Sequence, residues 1–513
     1  MRLSCKCIFS LVLLGLSAAV QPALAGTFSA TVTLTPTPTG AKVNSMLSGS
    51  NLDWVWNGDG LLKINGSAET FANPALTNLQ QQGIKVLRYP GGTLSDAYHW
   101  KDGVGALSSR GYEVDAYSPG TTQQVLMGTQ EFLELCEAVG AQPLITVNVM
   151  SGTASEAAAW VTYVNKQNLI SSKTGKVLPK VKYWEIGNEP YLNNALYPKM
   201  TPASYASQAA AFLSAMKAAD SSIMVGVVLS SDSSSNWNAT VLQNLQHTSP
   251  GFNFVAAHPA YMPYCIGSSA SYTDSSLYAA SMTGTTLVTS RLASIRSLIN
   301  QYYPTSSIPT AITEHSVDFG NSITQADYVQ TLDGALYAAD LLATLAQRKD
   351  ILTAEHWSAS QDTYFGGLDT AGNPRPVYYT LAGFSKMQQG NVVPITISTK
   401  GTITSIVSNC SVGVYTVPAV SGYATSGSVN GKTVLHVMLL NKNSSSTANI
   451  TLQINNLWSA STAVNVNYVL LTGSSLFDTS VSPQTGSFQS SSGTTLQYMI
   501  QPHAVMFFDI SAQ

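Results

Sequence analysis

Short apolar, β-branched segments alternate with longer segments of helical period between about residue 46 and residue 388. In the helical segment 130–139, Phe132, Leu135, Cys136 and Val139 fall on one face. Eight segments have the pattern of strands, at 45–53, 84–89, 143–149, 181–189, 223–229, 252–258, 309–314 and 352–357. This alternation predicts an α/β fold, a (β/α)8 TIM barrel. A doubly wound open sheet is the alternative, although no Gly-rich nucleotide fingerprint supports it.

The pattern changes after about residue 388. Helical period disappears, and segments 433–440, 448–454, 464–471 and 499–510 alternate or run apolar between Ser, Gly and Asn turns. They predict a C-terminal antiparallel β-sandwich domain over 389–513. A strand-like segment at 28–34 precedes the barrel, and we expect this N-terminal region, 26–45, to join the sandwich. The barrel itself is predicted to span 46–388.

The first 25 residues have the features of an export signal. Arg2 and Lys6 precede an apolar run at 8–20 that is too short to span a bilayer, and Ala23-Leu-Ala25 is a small-residue cleavage site. The segment 1–25 therefore predicts a signal peptide and a secreted or periplasmic protein. No later segment has the length and apolarity of a transmembrane helix, so we expect no membrane insertion.

Charge is sparse along this chain. Only 10% of the 513 residues are charged, and the formal net charge is −3. Without a basic stripe the chain is not expected to bind nucleic acid. A surface built from Ser, Thr, Asn, Gln and Tyr suits a neutral polymer such as a polysaccharide.

The cysteines indicate neither a disulfide framework nor a metal site. After removal of the signal, Cys136, Cys265 and Cys410 remain, an odd number at wide spacing. Cys136 lies in a helical pattern and is expected in the core, whereas Cys265 follows a strand end and is expected to be partly exposed. No Cys/His cluster has zinc spacing and no complete calcium loop occurs, so we expect no metal and no cofactor.

Two glutamates stand at the ends of strand-like segments, where carboxylates are conspicuous in a chain with few acids. Glu189 ends the fourth segment, in Gly187-Asn-Glu189, and Glu314 ends the seventh. Two carboxylates from different strands that face one cleft are what cleavage of a glycosidic bond requires. Taken singly, each glutamate could equally be a strand-end residue facing solvent. With the barrel pattern, the pair favours an enzyme.

Other residues fall at the same predicted strand ends, where TIM barrels carry their sites. Each also has a structural interpretation, such as a barrel salt bridge or core packing. They are Arg88 on the second strand, Asn188 on the fourth, His258 and Tyr261 on the sixth, and Trp357 on the eighth.

Two further acids compete for a role. Glu185 has the same strand parity as Glu189 but lies four residues earlier, about 13 Å down the strand, so it is expected to be a buried network partner. Glu355 precedes His356 and could line the end of the barrel.

Several motifs resemble family 51 of the glycoside hydrolases, the α-L-arabinofuranosidases, within the retaining clan A. The resemblance covers most of the predicted barrel and the sandwich. Its motifs are Leu87-Arg-Tyr-Pro-Gly-Gly92, Tyr98-His-Trp-Lys-Asp-Gly-Val-Gly105, Gly128-Thr-Gln-Glu-Phe-Leu-Glu-Leu-Cys136, Ile145-Thr-Val-Asn148, Lys182-Tyr-Trp-Glu-Ile-Gly-Asn-Glu189 and Thr313-Glu314.

The resemblance implies a role for each residue. Glu189 would be the general acid/base, with a pKa raised by burial and by its negative neighbour, and Glu314 the ionised nucleophile. The remaining residues would bind substrate or hold the nucleophile. Asn188 would bond a sugar hydroxyl, Arg88 would hold Glu314 as a carboxylate, His258 and Tyr261 would orient the nucleophile or touch sugar, Trp357 would offer a flat face to a sugar ring, and Asp53 would bind sugar hydroxyls.

Three departures from the family pattern concern the sugar. Thr93 stands where the family has Asn after Pro-Gly-Gly, Asp53 is shorter than the usual Glu, and Pro190 after Glu189 is commoner in relatives acting on xylosides, glucosides and uronides. The two catalytic acids are unaffected by these changes. The resemblance therefore implies mechanism more firmly than substrate.

The sequence predicts a secreted retaining glycoside hydrolase, with α-L-arabinofuranosyl side chains of polysaccharide as first substrate. An exo- or endo-β-glycosidase acting on xylan, glucan or uronide is the alternative within this class. From other classes, a non-catalytic carbohydrate-binding barrel and a cell-surface adhesin that acts through its Ser/Thr-rich sandwich also stay open.

Overall fold

The computed structural model describes residues 26–37, 40–66, 68–232, 236–265, 271–320, 326–361, 364–405, 410 and 413–513. The predicted signal peptide lies outside these residues. Within them, eight parallel strands close into a barrel, because the first strand pairs with the eighth and the sixth with the seventh. The (β/α)8 prediction is confirmed, and the open-sheet alternative is wrong. The barrel strands are Gly49–Asn51, Val86–Tyr89, Gln142–Val147, Tyr183–Ile186, Met224–Val228, Phe254–Ala256, Thr310–Asp318 and Ile351–His356.

Helices cover the outside of this barrel. The helix Pro202–Ala219 shows how its sequence sets the start: the Thr201 side chain accepts a hydrogen bond from the Ser204 N–H, and a proline occupies the first turn. The described helices are Val55–Asp59, Asn73–Gln82, Thr129–Val139, Ala154–Lys166, Pro202–Ala219, Trp237–Leu245, Asp274–Thr283, Thr285–Tyr302, Ala326–Val329, Leu332–Ala346 and Pro376–Lys386.

Shorter elements lie at the ends of the barrel. Single 3₁₀ turns occur at Ser45–Leu47, Thr93–Asp96, Trp100–Gly103 and Leu107–Ser109. Two hairpins pair Leu62–Asn65 with Ala68–Phe71 and Tyr112–Val114 with Thr122–Gln124. The strand Ala260–Pro263 extends the sheet by pairing with the distal half of the seventh strand.

Two strands are shorter than their apolar patterns predicted. The first does not begin at residue 45, because the Asn44 side chain accepts from the Met46 N–H and caps a 3₁₀ turn there. The fourth ends at Ile186, where Gly187 adopts a φ of 80° and turns the chain. Glu189 therefore lies on a turn beyond the strand, at the mouth of the barrel.

Large apolar side chains fill the opposite end of the barrel interior. Val86, Leu144, Tyr183, Phe254, Ala256 and Ala311 form one buried cluster from five strands. Because this cluster closes one end, the polar strand-end residues converge at the other, as TIM barrels arrange their sites.

Two sheets form the second domain and enclose one apolar core. In the described residues, the strand Thr27–Leu34 lies inside the smaller sheet, where it is parallel to Thr447–Ile454 and antiparallel to Ile395–Thr399. The smaller sheet has the order Ile395–Thr399, Thr27–Leu34, Thr447–Ile454, Thr495–Ile500, and the larger has the order Asn391–Val392, Val420–Val429, Lys432–Asn441, Ala504–Ala512, Val464–Leu471, Gln484–Ser490.

The apolar segment 499–510 is not one strand. It contains the end of Thr495–Ile500 and most of Ala504–Ala512, which belong to different sheets. His503, with a φ of 40°, lies in the turn between them. The connection itself, Gln501-Pro-His503, interrupts the apolar run.

A disulfide joins the two domains. Cys265, which follows Ala260–Pro263, is bonded to Cys410, 145 residues later. The expectation that these cysteines form no disulfide was wrong, and so was the expected exposure of Cys265, which is buried. Wide spacing conceals the pairing, because only the packing of the two domains brings the residues together. Cys136 is free and buried, as its helical pattern predicted.

A buried polar cluster lies at the same domain boundary. Asp340, in a barrel helix, accepts hydrogen bonds from Thr285 at 2.7 Å and from Ser421 of the second domain at 2.5 Å. Lys442 lies 3.4 Å from both oxygens of this carboxylate.

None of the described helices combines the length and apolarity needed to cross a bilayer.

Candidate active site

Arg88 is the centre of a hydrogen-bond network at the mouth of the barrel. Its fully buried guanidinium donates to Glu185 at 2.7 Å, to Glu314 at 2.9 Å, to Asn51 at 3.0 Å and to Asn188 at 2.8 Å. The two carboxylates offset the burial of the cation and raise the pKa of Arg88. A permanent positive charge is thus held against Glu314, and the second, fourth and seventh strands are joined around it.

Glu314 receives a donor on each oxygen. Arg88 Nη1 donates to Oε1 at 2.9 Å, and the Tyr261 hydroxyl donates to Oε2 at 2.6 Å. The carboxylate is nearly buried, with 7% of its side chain exposed. These two donors, one on each oxygen, fix the orientation of the carboxylate.

Glu189 faces the same space from the turn that follows the fourth strand. Its backbone adopts a left-handed φ of 43°, and 24% of its side chain is exposed. The Tyr191 hydroxyl donates to its Oε1 at 2.9 Å. A left-handed conformation in a residue other than glycine is strained, and such strain is concentrated at functional sites.

His258 lies between the two glutamates. Its Nδ1 is 3.2 Å from Glu189 Oε1 and 3.7 Å from Glu314 Oε2. Those two oxygens are therefore no more than about 7 Å apart, a limit that accommodates the ~5–5.5 Å separation of retaining glycosidases. The histidine brings the two predicted catalytic carboxylates to one place.

The protonation of His258 follows from its other neighbour. Thr313 donates its hydroxyl proton to Glu185 Oε1 at 2.9 Å, so its oxygen is left to accept from His258 Nε2 at 3.0 Å. With Nε2 protonated, a second proton on the ring must reside on Nδ1. That proton then lies between the two glutamates.

The direction of the Glu189 pKa differs from the sequence expectation. Burial raises this pKa, but the positive charge of His258, contacts from His258 and Tyr191, and the charge of Arg88 outweigh it, so the net pKa is lowered. Burial lowers the pKa of His258, while Glu314 and Glu189 raise it by more. Without substrate, a proton shared between His258 and Glu189 is therefore bound more tightly by the imidazole than by the carboxylate, because His258 has two carboxylate neighbours.

Two glycines let the backbone approach both sides of the site. A Cβ on Gly91, whose φ is 114°, would lie 2.4 Å from Asp53 Oδ1, and one on Gly92 would lie 2.7 Å from Glu314 Oε1. Neither distance is compatible with a side chain. The Pro-Gly-Gly motif thus has a steric explanation: its backbone covers Asp53 and Glu314 directly.

The other predicted site residues lie around this centre. Asp53 is fully buried, and burial raises its pKa to about 8, while the hydrogen bond with Asp59 lowers this pKa in part and the charge of Glu314 adds a smaller increase. Trp357 is 6% exposed, and its indole lies against Gly92, in the wall beside Glu314. Their sugar contacts stay predictions.

The two competing acids are both buried, and Glu185 is the one of the two that bonds to Arg88. Glu185 accepts from Arg88, Thr146 and Thr313, as expected of a network partner. Glu355 accepts from Thr353 at 2.8 Å, and burial raises its pKa to about 8.

Sequence reasoning missed several neighbours of the catalytic pair. Tyr191 contacts Glu189, Asn51 contacts Arg88, and Gln361 Nε2 lies 3.5 Å from Asp53 Oδ2. The position of Tyr191, two residues after Glu189, is a signal that could have been used. Gln361 had no such sequence signal, because it lies in a loop several residues after the end of the eighth strand.

The site offers acids, one histidine and amides, and within the described residues no three His, Cys, Asp or Glu side chains are grouped as metal ligands. What the arrangement can supply chemically is an oriented carboxylate, a second carboxylate and an imidazole between them. Such a set is compatible with acid/base and nucleophilic chemistry at a glycosidic bond.

Comparison with known proteins supports the same family. Residues 78–263 match the family model of the alpha-L-arabinofuranosidase 1 domain. A probable alpha-L-arabinofuranosidase C of Aspergillus terreus is 36% identical over 180 residues, which are 34% of this chain and 35% of the relative. The match thus spans about a third of that protein's length.

Solved structures extend the likeness to both domains. The alpha-L-arabinofuranosidase of Thermotoga maritima, in an arabinose complex, superposes with a TM-score of 0.76 at 21% identity, covering 94% of this chain and 100% of the other. The GH51 enzyme of Thermotoga petrophila has the same values. The predicted resemblance to family 51 is confirmed. At this identity the superpositions establish the shared fold, a barrel followed by a sandwich.

The family 51-like segment includes part of the site. The match over 78–263 contains Arg88, Asn188, Glu189, His258 and Tyr261. Glu314, Asp53 and Trp357 lie outside it, and their assignment rests on the geometry above.

Proposed function

We propose that this protein is a retaining glycoside hydrolase that removes α-L-arabinofuranosyl groups from polysaccharide. The observation that carries the proposal is the placement of Glu189 and Glu314 around one histidine nitrogen, with Arg88 and Tyr261 donating to Glu314. The names of the similar proteins support arabinofuranoside as the first substrate.

In the first displacement, an oxygen of Glu314 bonds to the anomeric carbon as the glycosidic bond breaks. Arg88 and Tyr261 keep that carboxylate ionised and aimed. The leaving oxygen needs a proton, which Glu189 delivers. Because the proton favours His258 Nδ1 in the free site, it first crosses the 3.2 Å contact to Glu189 Oε1 and then passes to the leaving group.

In the second displacement, Glu189 is an ionised base. It takes a proton from water, whose oxygen attacks the anomeric carbon and releases Glu314 as a carboxylate. Two inversions give net retention. Asn188, held by its bond to Arg88, is placed to contact the hydroxyl beside the anomeric carbon.

A panel of aryl glycosides tests the activity and its sugar. We expect cleavage of the α-L-arabinofuranoside with retained configuration, followed by NMR early in the reaction. Glu314→Ala should abolish turnover of every substrate. Glu189→Ala should still form the glycosyl-enzyme from substrates with good leaving groups, and azide should restore its breakdown.

The outcomes separate the alternatives. Inverted product would contradict double displacement. Cleavage of a β-pyranoside with an inert arabinofuranoside would move the substrate to the β-glycosidase alternative and leave the mechanism intact. Sugar binding without turnover of any glycoside would indicate a non-catalytic carbohydrate-binding barrel.

We also propose that the protein is exported, on the charged, apolar and small-residue pattern of residues 1–25. Expression of the full chain in a bacterial host with a periplasm should yield a mature protein starting at Gly26. Amino-terminal sequencing of cytoplasmic and periplasmic fractions checks this, and an unprocessed cytoplasmic chain would contradict it.

A further inference from the structure

An exposed aromatic pair lies near the active site and is separate from the hydrogen-bond network around Arg88. Trp56 and Tyr117 have ring centroids 6.2 Å apart with an interplanar angle of 28°, and they are 43% and 38% exposed. Aromatic rings of this size are usually buried, so a stacked pair left open to solvent indicates a contact surface. We call these two rings the aromatic platform.

The platform is held in place by a buried carboxylate. Asp115, which is 1% exposed, accepts from the Tyr117 N–H at 2.9 Å and from Gln123 Nε2 at 2.9 Å. Gln123 in turn accepts from the Trp56 N–H at 2.9 Å. One carboxylate thus fixes the backbone under both rings, so the pair is preorganised for binding.

The backbone at Trp56 is strained. Trp56, Asn57 and Gly58 adopt successive left-handed conformations with φ of 49°, 60° and 65°. A left-handed conformation is rare in a bulky residue and is strained. Strained backbone is concentrated at functional sites, which agrees with a binding role for the exposed indole.

A cavity of about 540 Å³ opens beside Trp56, the first ring of the platform. Trp56, Asn57, Lys63, Gln361 and Thr370 are among the residues that line it. Its polar groups suit hydroxyls.

Two observations relate the aromatic platform to the predicted catalytic carboxylates. Gln361, in the cavity wall, lies 3.5 Å from Asp53, which lies under Gly91 beside Glu314. Burial, followed by the charges of Asp53 and Glu314, raises the pKa of Tyr117. Tyr117 therefore lies within electrostatic reach of both carboxylates, although 38% of the residue is exposed.

We propose that the aromatic platform and its cavity bind a neutral, β-linked pyranose ring of the polysaccharide chain that carries the scissile sugar. A β-linked pyranose with equatorial hydroxyls presents a flat C–H face to an aromatic ring and its hydroxyls to the polar wall. The proposal rests on the proposed function, because it assigns the part of the substrate beyond the bond that is cut.

The test compares substrates with and without that part. Methyl α-L-arabinofuranoside has no second ring, whereas an arabinosylated xylo-oligosaccharide has several. Trp56→Ala should lower kcat/KM on the oligosaccharide about tenfold, the scale of losing one anchoring aromatic ring, and leave the methyl glycoside within about twofold. Trp56→Phe should retain most activity. Tyr415→Ala, which removes a ring that is 37% exposed in the second domain, is the matched control.

A binding measurement separates this proposal from the proposed function. Xylohexaose, which carries no arabinose, is titrated into the full chain with Glu314→Ala by calorimetry, with and without Trp56→Ala. Weaker binding in the double variant supports the platform even if no arabinofuranoside is cleaved. Cleavage of arabinofuranosides with xylohexaose binding absent, or present and indifferent to Trp56→Ala, overturns the platform and leaves the proposed function standing. Equal loss on both substrates would make Trp56 structural and would also overturn it.

Discussion

The Tyr261 hydroxyl donates a 2.6 Å hydrogen bond to Oε2 of Glu314, the oxygen opposite the one held by Arg88. Tyr261 reaches this position from the short strand Ala260–Pro263, which pairs with the strand that carries Glu314. In that pairing Tyr261 is opposite Ser316, two residues beyond Glu314, so the two side chains leave the same face of the sheet.

Tyr261→Phe should lower kcat by roughly 10- to 100-fold, because a charge-assisted donor that orients the attacking carboxylate is lost. Steady-state kinetics on an aryl arabinofuranoside checks this, with circular dichroism to confirm folding. Unchanged kcat would contradict the orienting role.

Glu189→Gln should lower the pKa of His258, because a negative charge 3.2 Å from Nδ1 stabilises the imidazolium. The NMR titration of histidine-labelled protein measures it. Glu314→Gln should act in the same direction, since that carboxylate also raises the pKa. A pKa unmoved in both variants would remove His258 from the proton path.

Arg88→Lys should abolish most activity although the charge is kept. One ammonium cannot reach Glu185, Asn51, Glu314 and Asn188 together, as the planar guanidinium does. We expect at least a 100-fold loss in kcat/KM and a lower thermal midpoint, since buried acceptors are left unpaired. Near-normal kinetics would mean that charge alone suffices.

Removal of the Cys265–Cys410 disulfide should destabilise the protein by about 2–4 kcal/mol, since the bond closes a long loop in the unfolded chain. Thermal unfolding of the variant Cys265→Ser/Cys410→Ser should show a lower midpoint than the parent. A reductant should lower the midpoint of the parent and leave that variant unchanged. Equal sensitivity of both proteins would place the effect elsewhere.

Thr93→Asn should raise activity on aryl α-L-arabinofuranoside by restoring the family's longer amide after Pro-Gly-Gly. Thr93 opens the 3₁₀ turn Thr93–Asp96 that follows Gly92, which itself lies over Glu314. The measurement is kcat/KM beside that of an aryl β-xyloside. A gain on the xyloside alone would indicate that this position reads a different sugar.

The sequence by itself predicted the eight strands, their alternation with helices and the two acids at the strand ends. The periodicity of hydrophobic residues and the turn residues are local signals in the sequence, so they were sufficient to predict the barrel. The motif Leu87-Arg-Tyr-Pro-Gly-Gly92 contains Arg88 and the two glycines that cover Asp53 and Glu314. The steric reason for those glycines became visible only in the interatomic distances.

The tertiary structure decided what depends on residues distant in sequence. His258 lies beside Glu189 because the barrel brings two carboxylates and a threonine around one ring, and the charge of that ring reversed the expected direction of the Glu189 pKa. Cys265 meets Cys410, and Trp56 stacks on Tyr117, for the same reason. Electrostatic and covalent partners are set by distance in space, which hydrophobic periodicity along the chain does not encode.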